Sequence, residues 1–165
     1  LYGPPVHPEL PPDFSTRHTW KTSASAADRS RRSVYIHAKR NLPYPLLQVF
    51  DQPDMHESCA QRSQTTVAPQ ALVLLNSNLV LELARGVVKR VRNQADTSDV
   101  SSQVRQAWQI VLGRYPRDDE LNQALTFLAN QAANSDATKT ATRNDQALLD
   151  LCHVLINTNE FLYVD

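Results

Sequence analysis

A chain of 165 residues, 41% of them apolar, has room for one ordinary domain or a small domain with an arm. That length can bury a core without disulfide or metal staples. Its 17 basic and 17 acidic side chains cancel, which argues against non-specific binding to nucleic acid or to an anionic membrane as the main task. No apolar run is long enough to read as a membrane span, so no membrane insertion is expected.

The charges are segregated. Arg17, Lys21, Arg29, Arg31, Arg32, Lys39 and Arg40 face only Asp28 over residues 17–40, whereas acids dominate residues 118–165. Two readings fit: the regions neutralise each other, or each faces a different neighbour. The opening Leu1-Tyr2-Gly3-Pro4-Pro5 reads like the middle of a longer protein, so the chain is expected to be a C-terminal piece of a multidomain protein. Cys59 and Cys152 could pair or stay free, since spacing alone cannot place their Cα atoms.

Pro4, Pro5, Pro8, Pro11 and Pro12 make residues 1–30 an extended, Pro-rich arm, anchored by Val6, Leu10, Phe14 and Trp20. Residues 31–165 then form a single mainly helical domain. Val34, Ile36 and Ala38 alternate with Tyr35 and His37, a weak period-2 signal for one short strand. Pro45 suits the first turn of a short helix through Leu46, Leu47, Val49 and Phe50. Asp51 to Arg62 is expected to be a loop.

Pro69 opens a helix over Gln70–Leu75, and Asn76 or Ser77 stops it and caps the next. That second helix spaces Leu79, Val80, Leu83, Val87, Val88 and Val91 as one apolar face. Gly86 inside it costs roughly 1 kcal/mol against Ala and would let another backbone approach. Asn93 to Ser102 reads as a linker. A third helix carries Val100, Val104, Trp108, Val111 and Leu112, with Gly113 at its C-terminal cap. Asp118, Asp119 and Glu120 suit the positive start of a fourth helix, striped by Leu121, Ala124, Leu125 and Leu128. Asn134 to Asn144 reads as a loop. A fifth helix carries Leu148, Leu151, Cys152, Leu155 and Ile156. The expected fold is mainly α, a small antiparallel bundle sealed at one end by Phe161, Leu162 and Tyr163.

Candidate chemistry is sparse. Cys152-His153 supplies half of a haem-attachment motif, but Leu149 stands where the first cysteine belongs, so no covalent haem is expected in this chain. His56 and Cys59 lie i, i+3 apart near Asp54 and Glu57, with no second close pair to complete a metal site. No metal is expected. Asp51, Asp54 and Glu57 are the one dense, proline-constrained set of carboxylates that could do acid–base work, with Arg62 as an anion clamp, and Asp51, Asp54, Cys59 and Arg62 could line a cleft. The same loop could simply hydrogen-bond its own backbone. Three glycines, none clustered, exclude a Gly-rich phosphate loop. Arg29, Arg31 and Arg32 with Tyr35 and His37 could clamp nucleic acid or a sulfated or uronic glycan, or form an exposed positive strip that pairs with the acidic C-terminal third. Arg40, Arg62, Gln70 and Asn76 border apolar segments and are expected as buried braces or interdomain contacts.

Several motifs stand in order: Arg31-Arg32-Ser33-Val34-Tyr35, Lys39-Arg40, Phe50-Asp51-x-Pro53, Cys59-x-x-Arg62, Thr65-Thr66 and Pro69-Gln70-Ala71-Leu72-x-x-Leu75-Asn76. With Leu112-Gly113-Arg114-x-Pro116-x-x-x-Glu120 and the tail Asn157-x-Asn159-Glu160-Phe161-Leu162-Tyr163-Val164-Asp165, they resemble the planctomycete-type, cytochrome-associated C-terminal domain of unknown function 1553, a PSD-type family. The resemblance implies an extracytoplasmic location, upstream domains of the same polypeptide as partners, and haem only in those upstream domains. It supplies no reaction. Arg117 stands where relatives place a Thr or Ser cap, which shifts capping to Asp118. The expected function is a C-terminal packing and interaction module. The alternative is a share of an enzyme active site acting on polysaccharide, with the Asp51–Arg62 loop lining a cleft.

Overall fold

The computed structural model describes residues 3–10, 20–53, 56, 68–96, 99–134 and 140–163. Among them the protein is mainly α-helical, with a single isolated β-bridge and no sheet. Two compact units divide at Gln70 and Ala71, inside one helix, so the residues read as an arm share a unit with residues 31–70.

In the first unit, short helices follow the arm: α1 (Ala26–Arg29), a 3₁₀ turn (Ser33–Tyr35) and α2 (Pro45–Val49). The strand expected around Val34 is not there. Tyr35 N–H closes a three-residue turn onto Arg32 O at 3.0 Å, and Val34 is 78% exposed, so the alternation buries no face. What survives is one parallel bridge between Val6 and Ile36. Val6 N–H donates to Tyr35 O (2.8 Å), and His37 N–H donates to Val6 O (2.9 Å). Val6, Trp20 and Tyr44 are buried here. The Trp20 indole N–H donates to Pro8 O at 2.7 Å, and its ring stacks on Tyr44 and meets His7 edge-on.

The second unit is a bundle of α4 (Asn78–Gln94), α5 (Val100–Val111), α6 (Asp118–Asn134) and α7 (Thr140–Ile156), entered from α3 (Ala68–Asn76) and followed by α8 (Asn159–Leu162). Helix α7 packs on α4, α5 and α6, which makes it the central element. Ala147, Leu148, Leu151, Cys152, Leu155 and Ile156 are all buried on it. Each fully buried Leu or Ile contributes roughly 1.5–3 kcal/mol. Leu121, Ala124 and Leu128 of α6 and Val104, Ala107 and Trp108 of α5 complete the core.

Local signals set the helix ends. Asp99 accepts from Ser101 and Ser102 N–H (3.0 and 3.1 Å) and starts α5, so the expected linker shrinks to the residues after Gln94. Gly113 holds φ 72° and stops α5, as its position in the sequence implies. Helix α7 begins at Thr140, inside the stretch read as a loop. Phe161 and Tyr163 are 44% and 53% exposed, so they do not seal the bundle as expected.

The largest departure lies on α4. Val80, Ala84 and Val91 are buried, whereas Leu79 and Leu83 are 39% and 54% exposed. The two faces differ by one residue, about 100° of rotation. Of the expected face, Val80 and Val91 are buried and Leu79 and Leu83 are not, because packing on α5 and α7 decides which side turns inward.

Candidate functional site

Asp51 closes α2. Its φ is 57°, in the left-handed region. Gln52 N–H donates to Leu47 O (2.9 Å) and Asp51 N–H donates to Gln48 O (3.2 Å). This pair of bonds is a Schellman cap, with Asp51 where glycine is usual and Pro53 just beyond, where the helix cannot resume. Gln70 Nε2 donates to Val49 O at 3.0 Å, satisfying another carbonyl at the same helix end. The Phe50-Asp51-x-Pro53 and Pro69-Gln70 motifs thus meet at the C-terminus of α2. Asp54, Cys59 and Arg62, the other residues of the candidate cleft, lie outside the described residues, as does Glu57. His56 is exposed.

Of the arginines, Arg31 fastens the arm. Its guanidinium lies 3.8 Å over the Tyr35 ring and donates to Pro4 O at 3.0 Å. A methyl group at Gly3 would overlap that guanidinium and require the arginine tip to shift. Arg29 donates to Ser23 O and Ala24 O and pairs with Glu9 at 3.4 Å. Arg32 and Arg40 are exposed, so burial does not describe Arg40. Asn76 is exposed too, and its Nδ2 donates to Leu72 O at 2.9 Å, closing the last turn of α3. Gln70 alone of the described expected braces is half-buried and reaches another helix.

The motif around Gly113 has a structural cause that its spacing does not disclose. Arg114 forks onto Glu120 through NH1 and NH2, both at 2.7 Å. It forks onto Glu160 through Nε (2.6 Å) and NH2 (2.7 Å). One side chain therefore ties the α5–α6 turn to the start of α6 and to α8. Glu120 also accepts the Arg117 backbone N–H at 2.7 Å, the returning half of a capping box. Capping at Arg117 is thus met by Glu120, three residues on, rather than by Asp118. The arginine and the Arg117 amide hold the Glu120 carboxyl down at about 2, and Arg114 holds Glu160 below its ordinary range. Asp145 pairs with Arg92, so acids of the C-terminal third find cations within their own unit.

Among the described residues, no group of three His, Cys, Asp or Glu side chains could hold a metal ion. Cys152 is a free, buried thiol, pushed up to about 12 by burial, which suppresses the reactive thiolate. The His153 ring meets Leu74 O at 3.2 Å and joins α7 to α3.

A second feature lies on α3 and α4. Leu72, Leu75, Leu79 and Leu83 are 60%, 52%, 39% and 54% exposed. Scattered exposed leucines are ordinary, but four within twelve residues are a surface of the kind that another apolar surface covers. No single described helix is long and apolar enough to cross a membrane; α3 and α4 together meet that test but bend by 54° where they join. The sequence carried one clue to this surface. Glycine at position 86 is unhelpful in a helix interior, and it sits on the leucine side of α4.

Helix ends capped and braced by motif residues define a mainly α-helical domain. The chain belongs to PSD1, a family of proteins of unknown function (DUF1553), whose model matches residues 1–128. The match runs from the arm through most of α6; Glu160, the second partner of Arg114, lies beyond it. No curated protein and no solved structure matches the chain.

Proposed function

We propose that this domain is the packing and interaction module of a larger extracytoplasmic, cytochrome-linked protein. It docks on upstream domains of the same polypeptide through the leucines of α3 and α4. The exposure of Leu72, Leu75, Leu79 and Leu83 carries this reading. Covering a large exposed apolar side chain contributes roughly 25 cal/mol per Å² removed from water, so four of them supply a strong docking surface. The envelope setting, and the assignment of haem to upstream domains, rest on the ordered motif resemblance. In this role Arg31, Gln70 and Arg114 keep the frame rigid, and chemistry belongs to the partner domains.

The test is a hydrophobic dye titrated into the isolated chain and into a Leu72→Gln/Leu75→Gln/Leu79→Gln/Leu83→Gln variant. The proposal expects dye binding by the parent and its loss in a variant that keeps its helical circular dichroism. Equal dye binding by both folded proteins would remove the leucines from the role.

A further inference from the structure

Leu79, Leu83, Gly86 and Arg90 fall at i, i+4, i+7 and i+11 of α4 and share one exposed side of it. Among the described residues, nothing lies within 4 Å of the place where a side chain at Gly86 would begin. The glycine therefore answers no crowding from the described residues, although it weakens the helix. A glycine on an open helix face lets a second helix come closer than any other residue permits, and leucines on either side of such a crossing fill the grooves. Beyond the leucines the surface turns basic. Lys89 and Arg90, one turn past Gly86, are exposed and make no ion pair among the described residues. Both precede the last turn of α4, where Arg92 is the basic residue, so the helix dipole does not account for them.

We infer that this face seats a partner helix that crosses α4 at Gly86, with apolar side chains at helical spacing and acidic residues at the end lying over Lys89 and Arg90. The inference rests on the packing-module reading and names the partner's chemistry. A second copy of the chain fits poorly. It would set these cations against one another, with Glu82 the one acid that α4 contributes. A lipid surface would use the leucines and cations but has no need of a glycine.

The experiment uses two synthetic helical peptides with the same leucine stripe, one ending in glutamates and one in lysines, titrated into the full chain by fluorescence anisotropy. The acidic peptide is expected to bind at least about tenfold tighter, a difference typical of complementary charge. Gly86→Leu is expected to weaken that binding by about tenfold or more with an unchanged or higher melting temperature, since Leu is the better helix former. Gly86→Ala gives a milder loss in the same direction. Lys89→Glu/Arg90→Glu reverses the peptide preference. Absence of binding, equal binding of the two peptides, or indifference to Gly86→Leu overturns the inference. So does a dimer of the free chain that Gly86→Leu dissociates, or binding to phosphatidylserine-containing vesicles that Gly86→Leu leaves intact. A Leu79→Gln/Leu83→Gln variant separates the two levels. If it unfolds, the packing reading itself fails. If it stays folded while peptide binding ignores charge and Gly86, only the helical partner fails.

Discussion

Arg114 and Glu160 stand 46 residues apart in sequence and meet as a two-pronged ion pair, Nε to Oε1 at 2.6 Å and NH2 to Oε2 at 2.7 Å. The same guanidinium forks onto Glu120, and NH1 also donates to Tyr115 O, so two carboxylates and one carbonyl saturate one planar donor set. An isolated surface pair contributes about 0–1 kcal/mol. Arg114→Ala is expected to cost more, about 1–2 kcal/mol, because it releases two helix ends together and leaves two carboxylates facing each other. The thermal midpoint should fall by several degrees. Arg114→Lys should recover little, because an ammonium cannot fork onto both partners. A double-mutant cycle of Arg114→Ala with Glu160→Ala checks the coupling.

Acid should act through Glu120. Its folded value of about 2 lies below the ordinary carboxyl value of 4.5, so between those values the unfolded chain binds more protons. The stability that Glu120 contributes is complete above about pH 4.5 and is lost as pH falls toward 2. Melting temperature measured between pH 6 and pH 3 should drop more steeply in the parent than in Glu120→Gln.

Asp51 offers a sharp contrast between backbone and chemical roles. At φ 57° a glycine is unstrained, whereas a β-branched residue is not. Asp51→Gly should be neutral or stabilising by up to about 1 kcal/mol, and Asp51→Val should destabilise by about 1–2 kcal/mol. Thermal unfolding of both variants checks this. Equal losses from both would mean that the carboxylate matters more than the cap.

His7 gives the first unit a pH response of its own. Burial, then the neighbouring His37 and Lys39, hold its imidazole below 6.5. The unfolded chain takes up that proton first as pH falls, so the contribution of His7 is complete above about pH 6.5 and declines on acidification. The His7 ring lies 4.9 Å from His37 and 5.0 Å from Trp20. Trp20 emission, isolated in a Trp108→Phe background, should therefore report loosening between pH 7.5 and 5.5, and His7→Gln should flatten that response.

Much of the fold was legible because its signals are local. Pro45 at a helix start, Gly113 at a helix stop and the acids of Asp118–Glu120 each act within one turn, so the residue types alone place them. The α4 face was half right: Val80 and Val91 are buried as expected, but Leu79/Leu83 were added to it because they and Val80/Ala84 are both helically spaced, one residue out of phase. Leucine outweighs alanine in any hydrophobic count, yet the small Ala84, fully buried, is what allows close packing. Asp51 suggested chemistry because its neighbours are polar and its left-handed cap is normally a glycine's. The role of Arg114 stayed hidden for a different reason. It depends on Glu160, which no local pattern connects to it.

The central claim is that α4 turns Val80, Ala84 and Val91 inward and leaves Leu79 and Leu83 for a partner. The most direct test compares melting temperatures of Leu79→Gln/Leu83→Gln and Val80→Gln/Val91→Gln in the isolated chain. The first pair should change stability by no more than about 0.5 kcal/mol per site, as exposed substitutions do, while the second should cost several kcal/mol or prevent folding. A large loss from the leucine pair, with tolerance of the valine pair, would reverse the orientation of α4 and contradict the account.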